Sequence, residues 1–281
     1  MENSLLRSTA TIFFLFSFFT TYSQVPGGVN NGNELWLKAN SGVTLTGGAI
    51  SLWSDQFNSN DVSQGTAISR PILNSNDANY NPSVVFDGTN DYLRHQLAAP
   101  FTDEFTIFFV AKVPTGQTGA KSLFNNWHSG SVGDNDGTSF QVDVGTGGGA
   151  NFRFNSWGDV VSSPNTGNYQ IITLSSNANN PPQIDNNHNG LLTNTGNLTG
   201  NDFSQTFRDY ELGTNRVESA FLNSFTSETI LYRNILSMLD HKFVESYLAI
   251  KYSVTLDNTG GGTAGDYIST TGNTIWDASV S

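Results

Sequence analysis

The strongest constraint on this chain is a recurring pattern. Short apolar or alternating runs are closed off again and again by Gly, Asn or Pro. The runs fall at residues 35–37, 50–53, 83–86, 105–113, 122–124, 139–144, 151–155, 169–174, 210–212 and 226–232. Segments of this length between turn residues predict an all-β sandwich of antiparallel strands. Residues 105–113 (Phe-Thr-Ile-Phe-Phe-Val-Ala-Lys-Val) are apolar on both parities, as expected of a central strand covered on both faces. Residues 139–144 and 151–157 alternate instead. Phe140, Val142, Val144, Phe152 and Phe154 form one parity, and Gln141, Asp143, Arg153, Asn155 and Trp157 the other. The glycine-rich stretch 145–149 can turn the chain tightly, so the pair is expected to be a hairpin with one core face and one wet face.

Composition supports this reading and excludes others. Gly, Asn, Ser and Thr make up 121 of the 281 residues, a turn-rich and hydroxyl-rich chemistry. Yet 37% of residues are apolar and 20 are Phe, enough for a core. The net charge of −12 repels nucleic-acid phosphates and anionic lipid, so neither is an expected partner, whereas cations are. With no cysteine there are no disulfides, thiolate metal sites or thiol nucleophiles.

Residues 1–23 carry Arg7, an apolar run over 11–19 and then small polar residues, which reads as a secretory signal peptide. The run is too short to span a bilayer, and no later segment is long and apolar enough, so no membrane insertion is expected after cleavage. The expected location is secreted or cell-surface. One substantial helix is predicted, from Ser237 to about Lys251. Ser237 with Asp240 resembles a capping box, and Leu236, Leu239, Phe243, Tyr247 and Ile250 form a stripe that could lie against a sheet edge. Residues 257–263 read as a linker. The tail from Asp266 to Ser281 is expected either to begin a further, truncated domain or to fold back.

Several phosphate-site look-alikes fail their own tests. Gly145 to Ala150 imitates a dinucleotide fingerprint, but strand-like sequence follows where a helix is required. Gly116 to Ser122 has Ala120 before the Lys and the wrong spacing for a phosphate loop. The four His (95, 128, 188, 241) form no metal pattern. Asp134 and Asp136, in Asp-Asn-Asp-Gly-Thr, supply the hard oxygens calcium prefers, and an Asx-stabilised turn accounts for them equally. Asp87 and Asp91 read as turn residues. Trp127, His128, Arg153, Asn155 and Trp157 are the candidates for binding sugar, because an aromatic ring stacks on a pyranose while amides and charged groups take its hydroxyls. Core packing is the competing reading for Trp127 and Trp157, and Trp36 and Trp53 read as core.

Three stretches carry a family resemblance: Glu34 to Ala39 with Ser51 to Asp55, Val85 to Tyr92, and Leu231 to Ser237 leading into Val244 to Tyr252. Together they resemble the laminin-G-like, concanavalin A-like jelly-roll domains of secreted Bacteroidota-type surface proteins. The resemblance implies a two-sheet antiparallel jelly roll over residues 24–255, with 256–281 as linker and tail. It also implies export and a role in adhesion or glycan binding, usually beside further domains. Some members of the wider superfamily are glycoside hydrolases with a Glu-x-Asp-x-(x)-Glu strand, and no Glu here is followed two positions later by Asp. Glu228 reads as structural. The expectation is therefore a non-catalytic module for an extracellular glycan or cell-surface protein, with calcium as a candidate cofactor. The alternatives are a hydrolase or lyase of the same fold and a ligand-free spacer of a larger adhesin.

Overall fold

The computed structural model describes residues 25–101, 104–119, 121–125, 141–144, 151–155, 159–177, 183–197, 207–215 and 218–280. The chain opens with β1 (Asn33–Lys38), β2 (Val43–Thr46), β3 (Ala49–Trp53) and β4 (Val62–Ser63). Next come β5 (Ile72–Ala78), β6 (Asn81–Asp87), β7 (Leu93–Phe101), β8 (Phe105–Lys112) and β9 (Lys121–Asn125). β10 (Gln141–Val144), β11 (Asn151–Asn155), β12 (Asp159–Pro164) and β13 (Tyr169–Ser176) follow. β14 (Gln183–His188), β15 (Leu191–Asn197), β16 (Phe207–Leu212) and β17 (Asn223–Tyr232) complete the sandwich. The helix α1 (Met238–Tyr252) and a small hairpin, β18 (Tyr267–Ile268) with β19 (Thr274–Trp276), close the chain.

Two sheets result, antiparallel throughout the described pairings. Sheet A runs β15-β14-β13-β8-β17-β6-β5, with β1 also on β17. Sheet B runs β12-β11-β10-β9-β16-β7-β4-β3-β2. The all-β sandwich with one C-terminal helix is thus as expected, and β8 is the middle strand of its sheet.

The double parity of β8 has a simple cause. Phe105, Ile107, Phe109 and Ala111 face sheet B, where they join Trp53, Phe124, Phe152 and Leu212 in the inter-sheet core. Phe108 and Val110 face outward and are covered by Val244, Leu248 and Tyr252 of α1 in a second core that also holds Trp36, Ile230 and Tyr232. A strand between a sheet and a helix has no wet face. The sheets are also tied by polar groups, since Tyr210 of sheet B donates from its hydroxyl to Glu34 Oε1 of sheet A (2.5 Å), and Arg233 Nε holds the other carboxylate oxygen.

Ser237 caps α1, its hydroxyl accepting from the Asp240 N–H (3.1 Å), as the capping box predicts. Ser237→Ala should cost about 1 kcal/mol, readable as a lowered urea midpoint with unchanged slope. The buried face differs from the expected stripe. Leu239 and Ile250 are about half exposed, while Val244, Leu248, Ala249 and Tyr252 are buried. Two apolar stripes overlap at three- and four-residue spacing, and the helix shows the sheet whichever one fits. It also lies across the outer face of sheet A rather than against an edge.

The tail folds back. The Ile268 N–H donates to Ser246 Oγ on α1 (2.9 Å), the Leu256 N–H donates to the Tyr267 hydroxyl (3.2 Å), and buried Asp266 accepts from the Ala278 N–H (2.9 Å). Among the described residues no helix is long and apolar enough to cross a membrane. Residues 1–24, and with them the expected signal peptide, lie outside the described residues.

Candidate functional site

Residues 209–212 of β16 alternate. Tyr210 and Leu212 enter the core, so Asp209 and Glu211 belong to the opposite face of sheet B. Register aligns further positions with Glu211 across the sheet. Glu211 stands opposite Arg94 of β7 on one side and Asn125 of β9 on the other. Asn125 stands opposite Gln141, Gln141 opposite Asn155, and Asn155 opposite Asp159. One row of charged and amide residues therefore crosses six strands. A second row holds Ser122, Asp143, Arg153 and Ser162.

The described side chains in this strip are held firmly. Arg94 Nη1 reaches Glu218 Oε1 at 3.0 Å and Glu211 Oε1 at 4.0 Å, and Asn125 Nδ2 donates to the Thr214 carbonyl at 2.7 Å. Glu211 and Asn125 are fully buried and Asp209 almost so. Burial pushes the Glu211 carboxyl up to about 8; the negative charges of Glu218 and Asp209 add to the rise, while the Asn125 hydrogen bond and Arg94 oppose it. Glu211 is thus mainly a neutral acid at pH 7, two positions along one strand from a second carboxyl.

This pair escaped the sequence reading, which sought Glu followed by Asp. The strand carries the reverse order, Asp209-Tyr-Glu211. Asp-x-Glu within a run whose intervening residues are apolar was the available signal.

Of the residues singled out for sugar binding, Arg153 and Asn155 lie on β11 in these two rows. The expected hairpin of 139–144 with 151–157 is present as β10 and β11, Val142 opposite Phe154 and Val144 opposite Phe152. Trp127, His128 and Trp157 lie outside the described residues, as do Asp134 and Asp136. Among the described residues no cluster of three or more His, Asp or Glu could hold a metal ion. Asp87 is a turn residue as read, its Oδ1 accepting from the Thr89 N–H (2.7 Å) while its own N–H donates to Asp91 (3.0 Å). Trp36 and Trp53 are core.

Register adds a convergence that spacing could not reveal. Asn125 ends β9 and Asn155 ends β11, and both pair with Gln141, so the chain leaves the two strands at one end of the sheet on either side of β10. Trp127 and Trp157 each follow two residues later in sequence.

A second constellation lies under α1. Ser175 Oγ is 3.0 Å from His241 Nε2, and His241 Nδ1 is 3.9 Å from Glu245 Oε1. The order resembles a hydrolytic triad. Ser175, however, sits inside β13, paired with β8 on one side and β14 on the other. It lacks the sharp turn that would expose a nucleophile beside free amide donors. It serves as a tether between helix and sheet.

Residues 240–281, which comprise most of α1 and the tail, match a family described only as a domain of unknown function, DUF8202. No curated protein matches the sequence. Among solved structures, a Trypanosoma rangeli sialidase in complex with a difluorinated sialic acid analogue (2,3-difluoro-KDN) superposes with a TM-score of 0.53 at 13% identity, over 78% of this chain and 33% of the sialidase. A GH54 α-L-arabinofuranosidase gives 0.55 at 13% identity, over 73% of this chain and 51% of the other. The botulinum neurotoxin serotype D binding domain gives 0.54 at 11% identity, over 82% and 53%. The likeness is one of fold. This chain spans a third to about half of the length of those structures.

Proposed function

We propose that this protein is an exported, non-catalytic glycan-binding module of the laminin-G-like type, taking its sugar at the end of sheet B where β9 and β11 leave it. The observation that carries the proposal is the shared end of β9 and β11. Two segments about thirty residues apart in sequence, each bearing Asn and then Trp, leave the sheet on either side of Gln141. Amide residues with tryptophans two positions further along the chain supply the types of group a pyranose needs: donors and acceptors for hydroxyls and a flat apolar surface for its C–H face. The fold relatives named for carbohydrate complexes and toxin binding domains are consistent with this use of the scaffold. Asp134 and Asp136, in the segment between β9 and β10, are the proposed calcium ligands. Residues 24–255 form the proposed domain.

The test is a glycan array with the purified protein, with calcium and with chelator, followed by titration of the best ligand. Asn155→Ala combined with Trp157→Ala should weaken that ligand by about tenfold or more, the loss of one stacking and one hydrogen-bond contact. Undiminished affinity in the double variant, or an array on which nothing binds, would sink the reading.

A second reading rests on Glu211. A carboxylic acid kept protonated near neutrality beside a second carboxyl is how a glycosidase makes its general acid. If the protein cleaves a chromogenic glycoside and Glu211→Gln abolishes cleavage without changing the fold, the hydrolase reading replaces the binding one.

A further inference from the structure

The outer face of sheet A carries a separate cleft, unrelated to the strip on sheet B. Helix α1, the turn at residues 25–28, β1 and the tail around residues 268–275 enclose a cavity of about 950 Å³. That is ample for a small organic ligand. One wall depends on Gly27. Its φ is +60°, and a Cβ there would stand 2.5 Å from the Phe243 backbone, so only glycine lets this turn close against the helix.

An ionic hub lies behind three of the lining residues, Trp36, Tyr247 and Lys251. Glu228 of β17 is fully buried and accepts from Trp36 Nε1 (2.6 Å), Lys251 Nζ (2.7 Å), Tyr252 hydroxyl (2.7 Å) and Tyr247 hydroxyl (3.0 Å). Its charge is matched by Lys251, and its lone pairs are spent. Lys38 is left over. Its Nζ lies 4.1 Å from the centroid of the Trp36 ring, and among the described residues no carboxylate comes within ion-pair distance of it. No Asp or Glu lines the cavity. A chain of net charge −12 thus keeps one uncompensated cation inside this cleft. Burial, and then the charge of Lys251, hold the Lys38 ammonium below its ordinary range, with Glu228 opposing.

We propose that this cleft binds a small organic carboxylate, with the anionic group on Lys38 and the apolar body against Phe243, Ile250 and Ile275. The charge count selects a monoanion. A phosphate dianion would bring a second negative charge that only Lys251 could meet, and Lys251 is committed to Glu228. The walls select an apolar body, since Ile250 and Ile275 are more than half exposed at the cleft and gain from being covered. An ammonium resting on an indole ring is oriented but still has donors for a carboxylate.

The experiment is isothermal titration of the full chain with benzoate, and with benzyl alcohol and benzylamine as neutral and cationic ligands of similar shape. Benzoate should bind at least about tenfold more tightly than either, the worth of one charge-assisted contact. Lys38→Met should lower benzoate affinity by a similar factor while keeping the thermal midpoint close to that of the wild type, and Lys38→Arg should retain binding. Equal affinity for benzyl alcohol would overturn the proposal, as would unchanged benzoate binding in Lys38→Met or no benzoate binding to the wild type. Inorganic phosphate displacing benzoate at equal concentration would overturn the carboxylate assignment. The three ligands can be compared on the wild type alone, so the inference stays testable even if a Lys38 variant folds poorly.

Discussion

Glu228→Ala should cost the protein about 3–5 kcal/mol, the usual penalty for breaking a buried ion pair by removing one partner. The carboxylate is fully buried and joins β17 to β1 through Trp36 and to α1 through Tyr247, Lys251 and Tyr252. Removing it strands a largely buried ammonium and three neutral donors at the junction of helix and sheet, where water cannot replace the lost acceptor. Glu228→Gln keeps one acceptor oxygen in place and should lose less. Urea unfolding of the two variants and the wild type checks this directly. A Glu228→Ala midpoint within experimental error of the wild type would show that the hub contributes little and that apolar packing alone holds α1 to sheet A. Since whole domains are stable by only about 5–15 kcal/mol, the expected loss brings the Ala variant close to unfolding.

The second large effect is a pH dependence that belongs to Glu211. Its folded carboxyl titrates near 8, above the 4.5 of an exposed glutamate, so the folded state prefers the protonated form. The stabilisation is therefore fully present below about pH 4.5 and is lost as the pH rises through 8. At about 1.4 kcal/mol per pH unit the whole span is on the order of 5 kcal/mol. Glu211→Gln imitates the neutral acid at every pH. It should match the wild type at pH 5 and exceed it by a few kcal/mol at pH 9, measured as urea midpoints in parallel series. Asp91, pushed up to about 6 by burial, titrates in the same range, but its contribution is common to both proteins and cancels in the comparison. Parallel pH profiles for variant and wild type would mean that Glu211 is ionised in the native state, and the hydrolase reading would lose its acid.

How far the fold could be read depended on where apolar residues were needed. β8 is buried on both faces, and its sequence is apolar enough to announce it, whereas β13 and β17 are buried as fully while carrying Gln170, Thr173, Ser175, Thr226 and Glu228. β14 buries Ile184, Asn186 and His188 on one parity, so the alternation exists in burial but hardly in hydropathy. β15 lies at the edge of sheet A with mostly exposed Thr and Asn, and β5 at the other edge is similarly polar. Strands of that kind exist because a neighbour offers hydrogen bonds, which a hydrophobic period does not record.

The candidate sites divide in the same way. By itself the sequence determined the two-sheet β class, the central strand 105–113, the β10–β11 hairpin and the Ser237 cap, because each rests on local chemistry: period, turn residues or a side chain reaching its own helix. Only the tertiary structure decided which stripe of α1 is buried and that the tail returns to the helix. It also decided that Asp209 and Glu211 share a buried strip with Asn125, and that Trp36 and Lys251, 215 positions apart, meet on one carboxylate. Those outcomes depend on the register between strands distant in sequence and on which faces pair, and neither is encoded in any short window of residues.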